Sequence, residues 1–145
     1  MAIAMTTGYS AQTEGALRCI EAASDWALAC VDALPQQSAY TLIDYGAADG
    51  GTAVGLWNSV LDRLHKRQPQ AHYTLVGNDL PSNDNVALAA NVALQLSRPP
   101  SPTVLVSCRS FYEQVMAPGS VSFGFTATAM HWLSQSAGAL DAHTH

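Results

Sequence analysis

From residue 14 to residue 34 apolar positions recur at helical spacing, with Leu17, Ile20, Ala27, Leu28 and Val31 on one arc. Glu14, Arg18, Glu21, Asp25 and Asp32 gather on a narrow polar arc, and Cys19, Trp26 and Cys30 make a second apolar edge roughly opposite it. A helix with so little polar surface is expected to be covered on more than one side, and Pro35 ends it. Residues 40–44 then read as a short buried strand, and a glycine-rich turn follows over 46–51. Val54, Trp57, Val60, Leu61 and Leu64 predict a helix over 52–67; Lys66 and Arg67 suit its dipole and Pro69 stops it. Residues 72–79 predict a second strand, 83–96 a helix capped near Ser82 or Asn83, and 103–106 a third strand. Val121, Phe123 and Phe125 alternate with Ser122, Gly124 and Thr126 as a fourth strand, and 127–135 read as a short helix or turn.

Strands alternating with helices predict an α/β fold with a mostly parallel sheet. Right-handed crossovers are expected to place the helices on its two faces. The length of 145 residues suits one domain with a real core. Hydrophobic residues make up 48% and charged residues 12%, about half the usual charged share, so much of the surface is expected to be covered. The net charge of −5, with scattered basic residues, argues against nucleic acid as a partner. Cys19, Cys30 and Cys108 follow no metal or disulfide spacing and read as reduced thiols. The N-terminus has no basic leader, and Glu14, Arg18, Glu21 and Asp25 interrupt its apolar run. The expectation is a cytoplasmic protein that neither spans nor binds a membrane. His143 and His145 fall on a polar tail and carry little weight as metal ligands.

In an open α/β sheet, ligands bind beyond the carboxyl ends of the strands. The first strand ends in Asp44, Gly46 and Gly50, a turn that lets backbone approach a ligand while the next helix aims its N-terminus at the same space. A structural turn explains this pattern equally well. The second strand ends in Asn78 and Asp79, and an acidic side chain there can accept hydrogen bonds from both hydroxyls of a ribose. The third strand leads to Ser110, Phe111 and Tyr112, which suit an adenine edge and face but read as readily as core aromatics. The fourth leads to His131 and Trp132, candidates for a substrate pocket or for plain packing. Taken together, the first two strand ends favour an adenosine-containing cofactor. A nicotinamide-dependent domain predicts GxGxxG, and residues 46–51 read Gly-Ala-Ala-Asp-Gly-Gly instead.

Several strings resemble one family, the SABATH methyltransferases that act on salicylate, benzoate, jasmonate and theobromine precursors. Asn78, Asp79, Leu80, Pro81, Ser82, Asn83 and Asp84 resemble its NDLPxND segment. Ser110, Phe111 and Tyr112 resemble its GSFY segment, and residues 130–135 the stretch ending in WLSQ. Leu42, Ile43, Asp44, Tyr45, Gly46 and Gly50 resemble its first motif. The matches keep the family's order over 9–135.

The resemblance implies a Rossmann-like class I methyltransferase fold that uses S-adenosylmethionine to methylate a carboxylate, or an N or O atom, of a small molecule. It implies that Asp44, Gly46, Gly50, Asp79, Leu80, Ser110 and Phe111 contact the cofactor, with Asp79 on the ribose. Tyr9 and Thr13 would close over it, and Thr128, His131 and Trp132 would meet the acceptor. Residues 1–36 would form a helical segment closing the site, and 37–145 a partial cofactor-binding domain. The resemblance nominates no acid–base residue; His131 could orient an acceptor. Ala16 stands where the plant enzymes place a glutamine on the substrate carboxylate, Thr128 where many have tyrosine, and Ala47, Asp49, Gly51 and Thr52 also differ. The cofactor side therefore matches better than the acceptor side. Family members are much longer, so the chain is expected to be truncated after its fourth strand. That strand's apolar face would border an unpaired edge, which admits a homodimer. The alternative function is a catalytically inactive remnant that binds S-adenosylmethionine or S-adenosylhomocysteine.

Overall fold

A computed structural model describes residues 13–96 and 99–129. Its elements run α1 (Glu14–Asp32), β1 (Ala39–Tyr45), α2 (Val54–Arg67), β2 (His72–Asp79), α3 (Asn85–Gln95), β3 (Thr103–Cys108) and β4 (Phe123–Phe125). The strands form one sheet in the order β3-β2-β1-β4, and every pairing is parallel.

Register decides which side chains share a face. Tyr40, Leu42 and Asp44 of β1 stand beside Tyr73, Leu75 and Gly77 of β2, and Phe123 and Phe125 of β4 stand beside Leu42 and Asp44. Helix α2 covers this face. Its Trp57 is 1% exposed and meets Phe123 and Phe125 edge to face, with ring centroids 6.1 and 6.4 Å apart. Such pairs add about 0.5–1.5 kcal/mol each beyond area burial. Helix α3 lies on the same face, where a Cβ on Gly77 would meet Leu88 at 3.1 Å. Helix α1 packs on α2, adding Ile20, Ala27 and Val31 to the same core.

The described helices thus share one face, so among the described residues the two-faced expectation is not met. Two crossovers stepping the same way, from β1 to β2 and on to β3, must pass over the same side to be right-handed. The connection that returns past β1 to β4 contains no described helix.

One further expectation is corrected, and one is extended. Cys19, Trp26 and Cys30 do not face a second layer among the described residues; Trp26 is 79% exposed. Arg67 does more than suit the dipole of α2. Its guanidinium donates to the carbonyls of Val31 at 2.7 Å and Leu34 at 2.8 Å, supplying partners that the end of α1 lacks within its own helix. Arg63 pairs with Asp32 alongside. No described helix is long and apolar enough to cross a membrane.

Candidate functional site

The strand order reverses between β1 and β4, because β2 and β3 lie on one side of β1 and β4 on the other. That reversal leaves a crevice beyond the strand ends, where open α/β sheets take their ligands. A cleft opens there, lined by Ala16 and Ile20 of α1, Asp44, Gly46, Ala47, Ala48, Thr52 and Ala53, and by Ala127, Thr128 and Ala129 after β4. Asp44 is the one ionisable side chain among these.

The glycine turn is built to come this close. Gly46 has φ +74°, and a Cβ there would lie 2.4 Å from the Cβ of Ala129. Gly50 has φ +76°, and a Cβ there would lie 2.5 Å from Val92 of α3. Both positions need a left-handed backbone and a missing side chain. The N–H groups of Gly46 and Ala47 both donate to the carbonyl of Asn78, at 2.9 and 3.0 Å. Asp79 completes the join: its carboxylate accepts from the N–H of Ala48 at 2.7 Å and from that of Leu80 at 2.7 Å. Asp79 and Gly46 therefore sit side by side, as a shared nucleoside site requires. Each Asp79 oxygen keeps a free lone pair for a diol.

The string from Asn78 to Asp84 acts as a fastening device. Asn78 is fully buried, and its amide donates to the carbonyls of Ser107 at 3.0 Å and Arg109 at 2.8 Å, fixing the start of the loop after β3. Asn83 donates to the carbonyl of Ala48 at 2.7 Å. Asp84, rather than Ser82 or Asn83, caps α3 by accepting from Ala87 at 3.0 Å. That correction follows from the turn closed by the Asn83 N–H on the Leu80 carbonyl, which delays the helix start. These structural roles were not read from the sequence, although asparagines beside a strand end are a usable signal for such ties.

Asp44 is 7% exposed and accepts a hydrogen bond from the Trp57 indole N–H at 2.9 Å. Burial pushes its pKa from 3.8 up to about 6; the Trp57 bond opposes that rise and the negative charge of Asp79 adds to it. Helix α2 begins just beyond, after Thr52 and Ala53, and presents a partial positive charge. A buried carboxylate facing a helix N-terminus is complementary to a zwitterion, the ammonium toward Asp44 and the carboxylate toward the helix.

No protein-family model matches the sequence. A search of characterised proteins finds Methyltransferase FUS9 of Gibberella moniliformis, 30% identical over 100 residues, which are 63% of this chain and 26% of that protein. The chain is a methyltransferase homologue. Among solved structures it superposes on loganic acid methyltransferase with S-adenosylhomocysteine at a TM-score of 0.74 and 18% identity, over 88% of this chain and 38% of that one. The fold is thus the Rossmann-like methyltransferase fold that the motif resemblance implied. The chain spans well under half the length of either relative.

In this methyltransferase homologue the structure brings Asp44, Gly46, Gly50, Asp79 and Leu80 together at the strand ends. Phe111 overhangs the turn, its ring 3.7 Å from where a Cβ of Gly46 would be. Ser110 shapes that loop by accepting from Tyr112 at its hydroxyl and from Glu113 at its carbonyl. Thr13 is the N-cap residue of α1. Thr128 lines the cleft with φ +56°, a strained setting for a β-branched residue. Tyr9, His131 and Trp132, with His143 and His145, lie outside the described residues. Among the described residues no group of His, Cys, Asp or Glu is placed to hold a metal. Ala16, which the resemblance placed on the acceptor side, and Ile20, which no motif singled out, line the same cleft as Asp44; packing of α1 on α2 brings Ile20 there.

Proposed function

We propose that the chain binds S-adenosylmethionine at the β1–β4 crevice and serves methyl transfer to a carboxylate of a small molecule. The observation that carries the reading is the 2.7 Å bond tying Asp79 to the glycine turn, which sets a diol acceptor beside a zwitterion site. The residues fit such a ligand in charge. Asp44 takes the ammonium, the N-terminus of α2 the amino-acid carboxylate, Asp79 the ribose hydroxyls, and Ser110 and Phe111 the adenine. By the motif resemblance, Thr13 and Tyr9 of the segment 1–36 would close over it.

Bound there, the cofactor would supply a methyl group that leaves sulfur with the electron pair staying behind, as an acceptor oxygen forms the new bond. A carboxylate acceptor is already ionised at neutral pH, so the chain supplies position rather than a base. Thr128, His131 and Trp132 would hold the acceptor. Calorimetry with S-adenosylhomocysteine, paired with a methyl-transfer assay on a panel of carboxylic acids, tests the reading. Binding with turnover supports it, and unchanged turnover in His131→Ala removes that histidine. A second reading, binding without turnover, is favoured by the acceptor-side departures at Ala16 and Thr128. Binding with no transfer to any acid selects it.

A further inference from the structure

Trp57 is the buried side chain whose chemistry the cofactor reading leaves unused. It belongs to α2, thirteen positions along from Asp44, and matches no motif read from the sequence. Its indole packs edge to face against Phe123 and Phe125 of β4 and is 1% exposed, so the ring cannot turn without repacking the core. The N–H it aims at Asp44 is therefore fixed in direction. One Asp44 oxygen, Oδ2, is held toward α2, while the residue still lines the cleft.

We propose that Trp57 is a positioning residue of the cofactor site: it clamps the Asp44 carboxylate so that its remaining lone pairs face the cleft, and it sets the pH below which an ammonium ligand is no longer captured. This rests on the proposed cofactor reading.

The surroundings of Asp44 make that clamp decisive. From β2 it faces Asp79, another anion whose charge works against its ionisation. In the glycine turn, Asp49 accepts from the Gly51 N–H at 3.2 Å. Helix α1 presents Ala16 and Ile20, the turn before α2 presents Thr52 and Ala53, α2 presents Trp57, and β4 presents Phe125, none of them charged. Among the described residues no cation lines the cleft, and the Trp57 N–H is the side-chain group that favours the ionised carboxylate against burial and Asp79. An ammonium needs the ionised form. Protonated Asp44 would offer it a single carbonyl lone pair and no charge.

The test is calorimetric titration of the full chain with S-adenosylhomocysteine from pH 5 to pH 8, for wild type and Trp57→Phe. Phenylalanine keeps an aromatic ring against Phe123 and Phe125 and deletes the N–H. Wild-type affinity is expected to be flat above about pH 6.5 and to fall about tenfold per unit below about pH 6. In Trp57→Phe that fall should begin about one unit higher, since a hydrogen bond to a charge corresponds to about one pKa unit or more. Loss of affinity by the same factor at every pH would mean a merely structural role and would overturn the inference. Should the variant not fold, the wild-type indole N–H resonance of Trp57 serves instead. It is expected to titrate near pH 6 in the free protein and to stop titrating when ligand is bound; a resonance unmoved between pH 5 and pH 7 overturns the proposal. No binding by the folded wild type at any pH sinks the cofactor reading itself. Binding that is equal from pH 5 to pH 8 leaves that reading standing and sinks the role of Trp57.

Discussion

Replacing Asp44 by asparagine should make the protein more stable and less able to bind its ligand. The carboxyl is largely buried, and burial raises its pKa from 3.8 to about 6 on folding. The folded state thus holds this proton more tightly than the unfolded chain does. Stability from this group is greatest below pH 3.8, declines as pH rises, and levels off above about pH 6. At about 1.4 kcal/mol per unit the cost at neutral pH is about 3 kcal/mol. Asparagine has the same shape, carries no charge, and still offers a carbonyl oxygen to the Trp57 indole. Urea denaturation followed by far-ultraviolet circular dichroism, at half-unit steps from pH 4 to pH 8, reads the difference between variant and wild type. Other carboxylates cancel in that difference. The curves should nearly meet at pH 4 and separate to about 3 kcal/mol in favour of Asp44→Asn above pH 6.5. Parallel curves, or a variant less stable than wild type at pH 7, would refute the reasoning that an unpaired buried charge is kept here for a ligand.

Gly46→Ala would force a Cβ to 2.4 Å from Ala129 at φ +74°, which should cost about 3 kcal/mol in the same denaturation assay. Thr128→Gly should raise stability by about 1 kcal/mol, because Thr128 is exposed with φ +56° and glycine relieves that strain at a smaller entropic cost. Asn78→Ala removes donors to Ser107 and Arg109 from a fully buried position. It should cost about 2–3 kcal/mol and raise amide exchange over 107–113, measured by mass spectrometry.

The strands were legible because their side chains are pinned by period. The buried run expected over 40–44 lies inside β1, and the strand expected over 72–79 is β2. The glycine turn and the acidic end of β2 were legible because few residue types can do their work, and the structure joins them directly. The helix layer was not. Periodicity says that Ile20 and Val31 are buried but not against what, and it made Trp26 look like a second buried edge when it is 79% exposed. The one-faced layer is a property of strand order, which no local pattern encodes. The Trp57–Asp44 bond was equally out of reach: both residues fit ordinary apolar or strand-end patterns, and only the crossing of α2 over β1 brings the indole N–H to the carboxylate. The cap of α3 moved to Asp84 because a preceding turn outcompeted the earlier candidates.

The most direct test is to titrate the intact, folded chain at pH 7.5 with S-adenosylhomocysteine and to repeat the titration on Asp79→Ala, with circular dichroism showing both folded. One ligand should bind per chain, at least about tenfold more weakly in the variant, which loses a charged diol acceptor. A folded wild-type chain that takes up no ligand at millimolar concentration, or a variant that binds as well as wild type, would contradict a nucleoside site at the β1–β4 crevice.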